Sequence, residues 1–454
     1  MITLDGDRLA SMAGAEVLAR GDEGGPTRAV IDSREVREGD LFVGVRGERA
    51  DGGEFGAAAL RDRAWGILVG SQWGRELAAQ RRAGAALDGA GWILGSADPL
   101  ASVQSLARGW RTELDALVVG ITGSTGKTSV KDICRALFPA EVQASPENYN
   151  TEIGMPLTVL AAPEGTEVLV LEMGMRGPGQ IAELCAIAAP DVGVITNVGP
   201  VHVELLGSVE AIAAAKAEII DGLREGGTAV VPAEPGPLEP HLERASKLLR
   251  FGAGGDVEAT WVLAEAGETD ALVRTPEGEQ AFKLPFVEAH NLDNVLAAIA
   301  AGLALGYPLA EMADRAPGIV FSRLRGELVE LPGNAILIND SYNANPISMR
   351  AALDHLATFD AGGRRLAVLG EMRELGPEAA AYHREIGRHA RERGVELIIG
   401  VGELAEAYEP DRHVADAEAA ADALAEALGP GDAVLVKGSR AVGLERIAEK
   451  LQET

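Results

Sequence analysis

The sequence predicts an α/β fold of three domains, over residues 1–95, 96–320 and 321–454. Three observations carry that reading. A chain of 454 residues exceeds what one hydrophobic core supports. Short apolar strands alternate with helices from about residue 96 onward. One of those strands runs into one of those helices through a glycine-rich loop, Val118-Val119-Gly120-Ile121-Thr122-Gly123-Ser124-Thr125-Gly126-Lys127-Thr128-Ser129.

Residues 1–95 alternate short apolar runs (Ala29–Ile31, Leu41–Val45, Gly66–Val69, Trp92–Leu94) with turn-rich polar stretches, as a small α/β domain does. In 96–320, strands are expected at Leu117–Ile121, Val168–Met173, Val192–Thr196 and Thr228–Val231. Helices are expected at Lys127–Leu137, Ile181–Ala188 and Val209–Leu223. Such alternation implies a parallel sheet covered on both faces, with ligands beyond the carboxyl ends of its strands. A β segment (Trp261–Val273, Gln280–Pro285) precedes a helix at Asn291–Leu305. The third unit shows strands at Ala335–Asn339, Leu366–Leu369, Leu397–Gly400 and Ala433–Val436, with helices at Ser348–Ala357 and His383–Arg393. It reads as a second doubly wound, Rossmann-like domain. The Ala/Glu/Asp stretch 414–428 is expected to be a solvated amphipathic helix.

Composition narrows the function. Apolar content of 47% with 24% charged residues is that of a soluble globular protein. No apolar run reaches the roughly 18 residues of a membrane span, and Met1–Asp7 lacks the pattern of a signal peptide. Cys134 and Cys185 fit a reducing compartment and offer no zinc-site spacing. A cytoplasmic protein is expected. The net charge of −28 argues against nucleic acid, which demands a basic footprint. Residues 1–95 depart from that average, with 12 Arg, no Lys and 15 acidic residues. Such a segment can host an anionic ligand, because Arg grips phosphate bidentately; an Arg-rich solvated surface reads the same way.

The glycine loop is the strongest chemical signal. Glycines let backbone N–H groups approach phosphate oxygens, and the helix N-terminus adds positive potential. Lys127 supplies a mobile cation and Thr128 a hydroxyl for Mg²⁺. The strict pattern wants glycine at 121, where this chain has Ile121, so the loop is a variant. Other candidates follow strands too. Glu172 closes Val168-Leu169-Val170-Leu171 and can take a metal ion, or serve as a capping acid. Asn197 and His202 follow Val192–Thr196; a lone His is as often a hydrogen-bonded structural group. Lys216, on an Ala-rich helix, reads by itself as a surface lysine. Asp340-Ser341-Tyr342-Asn343-Ala344-Asn345-Pro346 follows Ala335–Asn339 and suits either ribose and phosphate or Asx-turn and capping work.

Taken together these pieces resemble the Mur ligases, ATP-dependent amide-forming enzymes of peptidoglycan precursor synthesis. The resemblance rests on Gly120–Thr128, Asn148-Tyr149-Asn150-Thr151-Glu152-Ile153-Gly154-Met155-Pro156, Glu172-Met173-Gly174, Thr196-Asn197-Val198-Gly199-Pro200-Val201-His202, Ala215-Lys216-Ala217-Glu218 and His290-Asn291-Leu292-Asp293-Asn294, in order along almost the whole chain. Asp340–Pro346, Val436-Lys437-Gly438-Ser439-Arg440 and Leu369-Gly370-Glu371-Met372-Arg373-Glu374-Leu375-Gly376 look like the family's branch that adds D-alanyl-D-alanine to UDP-N-acetylmuramoyl-tripeptide. Asp32-Ser33-Arg34 with Gly39-Asp40-Leu41-Phe42-Val43 resembles its UDP-sugar domain.

The resemblance implies roles. Gly123, Ser124, Thr125, Gly126, Lys127, Thr128 and Ser129 would bind ATP; Thr128, Glu172, His202 and Lys216 would organise two Mg²⁺ ions, with Lys216 carbamylated. Asn291 and Asn294 share a helix face, and Asn294 would contact adenine. Arg325 and Asp340 would reach phosphate and ribose, with Lys127, His202, Lys216 and Arg325 catalytic. Ser33, Arg34, Asn150, Thr151, Tyr342, Asn343, Asn345, Lys437, Ser439 and Arg440 would contact the two small-molecule substrates. No nucleic acid or membrane span is implied, and a monomer is expected. The N-terminal pattern departs from the family in two places. Asp51-Gly52-Gly53-Glu54-Phe55 stands where Asp-Gly-His before an aromatic is common, and Gly44 stands where alanine is common. Two alternatives stay open: another Mur-type amino-acid ligase or folylpolyglutamate synthetase-like enzyme, for which His is expected in the turn after Ala335–Asn339, and a nucleotide-binding module that does not ligate.

Overall fold

A computed structural model describes residues 4–47, 49–84, 91–146, 149–201, 203–265, 267–359 and 362–452. Its strands fall into four sheets that follow one another along the chain. The first holds β1 (Glu16–Ala19), β2 (Ala29–Val30), β3 (Leu41–Val43), β4 (Gly66–Gly70) and β5 (Trp92–Ser96), in the order β1-β5-β4-β3-β2 with β1 antiparallel. Helices α1 (Gly6–Ala13), α2 (Gly56–Arg61) and α3 (Ser71–Arg82) accompany it.

Helix α4 (Pro99–Leu114) leads into the second sheet. N-capped by Asp98, it buries Val103, Leu106, Ala107 and Trp110 in a core shared by the first two sheets. The second sheet comprises β6 (Leu117–Thr122), β7 (Val142–Ala144), β8 (Val168–Glu172), β9 (Val192–Ile195), β10 (Thr228–Pro232) and β11 (Lys247–Phe251). All six are parallel, in the order β11-β10-β9-β6-β8-β7. Their connections include α5 (Lys127–Leu137), α6 (Gly154–Ala161), α7 (Gln180–Ala188), α8 (Val203–Leu206) and α9 (Val209–Asp221). Because β6 lies between β8 and β9, the strand order reverses there and a crevice opens at its carboxyl end. Side chains alternate along β6. Val118 faces the core with α4, whereas Val119 and Ile121 face α5.

An antiparallel sheet of β12 (Glu258–Glu265), β13 (Glu268–Thr275) and β14 (Gly278–Leu284) packs Ala271, Val273, Phe282 and Leu284 under the same core, together with α10 (Ala289–Ala304) and α11 (Leu309–Arg315). The fourth sheet contains β15 (Glu327–Leu331), β16 (Ala335–Asn339), β17 (Arg365–Gly370), β18 (Leu397–Val401), β19 (Arg412–Val414) and β20 (Ala433–Lys437), in the order β15-β16-β20-β17-β18-β19. Only β15 runs antiparallel there among the described strands. Helices α12 (Pro346–Thr358), α13 (Ala379–Glu392), α14 (Ala417–Ala427) and α15 (Glu445–Gln452) cover it.

The expected helix at Lys127–Leu137 is found with the same bounds, and the 414–428 stretch forms α14 behind its N-cap Asp416. The β segment Trp261–Val273 is two strands, β12 and β13, rather than one. The variant residue Ile121 has a structural cause. It is a fully buried strand residue, and the loop begins only after Thr122. No helix among the described residues is long and apolar enough to cross a membrane. Replacing Ile121 with the glycine of the strict pattern should cost about 3–6 kcal/mol, through the cavity and the lost strand side chain. Chemical denaturation reads this as a fall in midpoint at constant slope.

Candidate functional site

Strands β6, β8 and β9 deliver their carboxyl ends side by side, with Ile121 opposite Glu172 and Thr122 opposite Ile195. The loop after β6 is fixed by the segment after β9. Thr125 N donates to Asn197 Oδ1 (3.0 Å), Asn197 Nδ2 to Thr125 Oγ1 (2.7 Å) and Ser124 N to Asn197 O (3.1 Å). The Thr196 hydroxyl donates to Thr125 O. Gly126 adopts the left-handed region (φ +80°), and a Cβ there would lie 2.5 Å from Asn294 Oδ1. Helix α5 starts directly after it with no side-chain cap, leaving its first-turn N–H groups for a ligand to meet.

Charges gather around this loop. Lys127 Nζ donates to Gly123 O (2.7 Å). Burial pushes the Lys127 ammonium down from its usual range, Glu172 pulls it back up and Arg325 pushes it further down. Glu172 is 1% exposed, and its Oε1 has no hydrogen-bond partner among the described residues. An isolated buried carboxylate oxygen beside a phosphate loop fits a divalent cation. Lys216 corrects the reading of a surface lysine, since it is 3% exposed on the inner face of α9. Burial, and secondarily Lys127, push its amine well below the ordinary lysine range. Its helix neighbour Glu218 accepts from Gly179 N (2.6 Å) and Ala182 N (3.1 Å), tying α9 to the start of α7.

The fourth sheet closes the site from the other side. Arg325 Nη2 donates to Thr128 Oγ1 (2.7 Å), and its guanidinium carbon lies 4.3 Å from the centre of the Tyr342 ring. At the carboxyl end of β16, Asp340 Oδ2 receives Lys437 Nζ (2.6 Å), which also donates to Asn343 O (2.9 Å). Asn345 is the N-cap of α12, bonded reciprocally with Ser348, so capping accounts for its side chain. Ser439 Oγ accepts from Arg373 N (3.0 Å), and Arg440 pairs with Glu445 (3.0 Å).

These groups line one cleft of about 1250 Å³. It brings together Gly123, Ser124, Thr125, Gly126, Lys127, Thr128, Ser129, Asn150, Thr151, Glu172, Lys216, Asn291, Asn294, Arg325, Asp340, Tyr342, Asn343, Asn345, Lys437, Ser439 and Arg440. Asn294 Nδ2 donates to Asn291 Oδ1 (3.1 Å), confirming a shared helix face. Two expected groups lie elsewhere. Ser33 and Arg34 stand in a short 3-10 turn of the first unit, where Arg34 pairs with Asp32 (2.5 Å) and neither lines the cleft. His202 falls outside the described residues. The family departure at Gly53 has a steric reason, since a Cβ there would lie 2.3 Å from the Trp73 ring.

Among the lining residues that escaped the sequence reading are Glu288, His355, Arg373 and Glu374. Arg373 and Glu374 sit inside a motif that had been noted, but nothing in its spacing shows which side chains face the cleft. Glu288 and His355 have no local signature; only the approach of α10 to α12 unites them.

A phosphate loop at a switch point, a buried carboxylate, a half-buried and a buried lysine, with a second, mostly parallel sheet facing them, is the equipment of an ATP-dependent ligase. Comparison with known proteins agrees. Residues 121–302 match the Mur ligase middle domain, and residues 324–440 match the Mur ligase, glutamate ligase domain. The chain belongs to the Mur ligase family. It is 34% identical to the UDP-N-acetylmuramoyl-tripeptide--D-alanyl-D-alanine ligase of Bacillus subtilis (strain 168), over 93% of this chain and 92% of that protein. Among solved structures, MurF from Acinetobacter baumannii matches with a TM-score of 0.87 and 26% identity, covering 100% of both chains. The MurF ligase from Thermotoga maritima in complex with ADP matches with a TM-score of 0.80 and 32% identity, over 96% of this chain and 98% of that one.

Gly126→Ala should weaken ADP binding at least about tenfold, since a left-handed alanine costs 1–2 kcal/mol before its clash with Asn294 is counted. Isothermal titration calorimetry would show it, with unchanged affinity refuting the tight-loop reading.

Proposed function

We propose that this chain joins D-alanyl-D-alanine to the free carboxylate of UDP-N-acetylmuramoyl-tripeptide, at the expense of ATP, to give the pentapeptide precursor of peptidoglycan. The ligase chemistry rests on one observation: the buried Glu172 carboxylate, whose Oε1 has no hydrogen-bond partner among the described residues, shares a cleft with Lys127 and Lys216. The choice of acceptor rests on the nearly full-length likeness to D-alanyl-D-alanine-adding ligases, together with Tyr342-Asn343-Ala344-Asn345 where amino-acid-adding relatives are expected to carry His. In the division of labour, 1–95 takes the UDP-sugar, 96–320 the ATP, and 321–454 the incoming dipeptide.

A carboxylate resists attack by an amine until one oxygen becomes a leaving group. Transfer of the terminal phosphoryl group of ATP makes an acyl phosphate; the dipeptide amine adds to its carbonyl, and phosphate leaves as the amide forms. The loop Gly123–Ser129 cradles the phosphates, and Lys127 faces the negative charge that accumulates during transfer. Thr128, Glu172 and, outside the described residues, His202 would hold Mg²⁺, which when bound neutralises phosphate charge. Arg325 reaches phosphate from the second half of the cleft, Asp340 the ribose, and Asn294 the adenine. Asn150 and Thr151 line the tripeptide side, and Asn343, Lys437, Ser439 and Arg440 the dipeptide side. Ser33 and Arg34 serve the nucleotide-sugar, away from the cleft.

Lys216 fits carbamylation on physical grounds. Only an unprotonated amine attacks CO₂, and burial beside Lys127 favours that form. The carbamate would replace a disfavoured buried cation with an anion facing Lys127. Because the folded amine binds its proton less tightly than the unfolded one, Lys216 in its uncarbamylated form makes stability rise with pH up to the ordinary lysine range.

Phosphate release from ATP and Mg²⁺ should require the UDP-tripeptide and D-alanyl-D-alanine together, with a product heavier by one dipeptide unit. Release with a single amino acid, or with neither substrate, refutes the acceptor assignment. Activity should fall in CO₂-depleted buffer, return with bicarbonate, and vanish in Lys216→Met. The same variant should melt at a higher temperature at neutral pH, as expected on removal of a desolvated amine. Full turnover without CO₂ would exclude the carbamate.

A further inference from the structure

Three features of the segment entering the fourth sheet serve one side chain. Ser322 N donates to Asp132 Oδ2 (2.8 Å), and Asp132, 8% exposed on α5, pairs with the buried Lys131 (3.0 Å). Asp132 lies one helical turn after Thr128, so the two share a face of α5. Arg325 lies three residues after Ser322 and bonds Thr128 Oγ1. The linker is thereby pinned to the phosphate-loop helix at two points one turn apart. Between them Leu324 takes a left-handed conformation (φ +63°), which costs a branched side chain energy and redirects the chain toward Thr128. Its carbonyl accepts from Tyr342 N (3.3 Å), bringing the Tyr342 ring against the Arg325 guanidinium.

We propose that Tyr342 and Asp132 are positioning residues for Arg325: the Tyr342 ring face and the Asp132–Ser322 contact together hold its guanidinium on the first turn of α5. This rests on the reading of Arg325 as a phosphate contact given above. An arginine has four side-chain torsions, and ordering them on binding costs entropy that a preset rotamer avoids. The aromatic face supplies cation–π attraction without competing for the N–H donors, which stay available to phosphate. The sequence had suggested a substrate contact for Tyr342; the geometry points to its ring serving Arg325.

Steady-state kinetics and ADP calorimetry on Tyr342→Leu, Tyr342→Phe and Asp132→Ala, each in wild-type and Arg325→Ala backgrounds, test this. Tyr342→Leu should lower kcat/KM for ATP about 3- to 30-fold, the range of a partly desolvated cation–π contact, while leaving KM for D-alanyl-D-alanine within about twofold. Tyr342→Phe should recover most of that loss, because the ring and not the hydroxyl matters. Asp132→Ala should act in the same direction. Should it fail to fold, Lys131→Met with Asp132→Ala removes the stranded cation as well and tests the same contact. In the Arg325→Ala background the Tyr342 and Asp132 changes should add almost nothing.

A loss in Tyr342→Phe equal to that in Tyr342→Leu would overturn the proposal in favour of a hydroxyl–substrate contact. Equal losses with and without Arg325 would overturn it in favour of a role independent of that arginine. If Arg325→Ala alone leaves kcat/KM for ATP and ADP affinity unchanged, the phosphate-contact reading falls, and this inference with it.

Discussion

Lys127, Lys216 and Arg325 are drawn into one cleft around the buried carboxylate Glu172, and that crowding of cations is the constraint on which the site depends. Each would be better solvated outside. Burial lowers the proton affinity of both lysines; Lys127 lowers that of Lys216 further, and Arg325 lowers that of Lys127. A protein holds such an arrangement only where the fold leaves no other course or where the missing anions arrive with the ligand. Here the backbone does the holding. Lys127 opens a helix whose start is dictated by Gly126, Lys216 rides on α9 against the sheet, and Arg325 hangs from a linker clamped to α5.

The net charge of −28 is spread over surfaces where Arg and Lys pair with acids, as in Arg8–Glu113, Arg224–Asp191 and Arg391–Asp411. Exposed pairs of this kind contribute little to stability. At the cleft, Lys437 is already balanced by Asp340, whereas Arg373 meets Glu371 only through Nε (3.3 Å).

Much of this was legible in the sequence, for reasons that differ by element. The β6-loop-α5 unit reads correctly because its signals are local: an apolar strand, glycines where φ is positive, and a helix with strong periodicity. Strand β1 is less visible, since it runs antiparallel at a sheet edge and its partner β5 lies about 75 residues on. Helix α6, buried nearly all round, lacks the amphipathic stripe that marks a surface helix. Lys216 shows the limit most clearly. An alanine-rich helix carries no mark of which face turns inward, and only the family resemblance singled it out. Glu288 and His355 had no such help, being two residues 67 positions apart that the packing of α10 and α12 brings together.

The linker that carries Arg325 also marks an axis. Strand β15 begins two residues later, so Arg325 sits at the root of the fourth sheet while Lys437 and Ser439 stand across it, beyond β16. In any rotation about a tether, points near the pivot travel least and those far from it sweep the widest arc. Opening of the cleft about that point would therefore carry Lys437 and Ser439 farther from the phosphate loop than it carried Arg325 from Thr128.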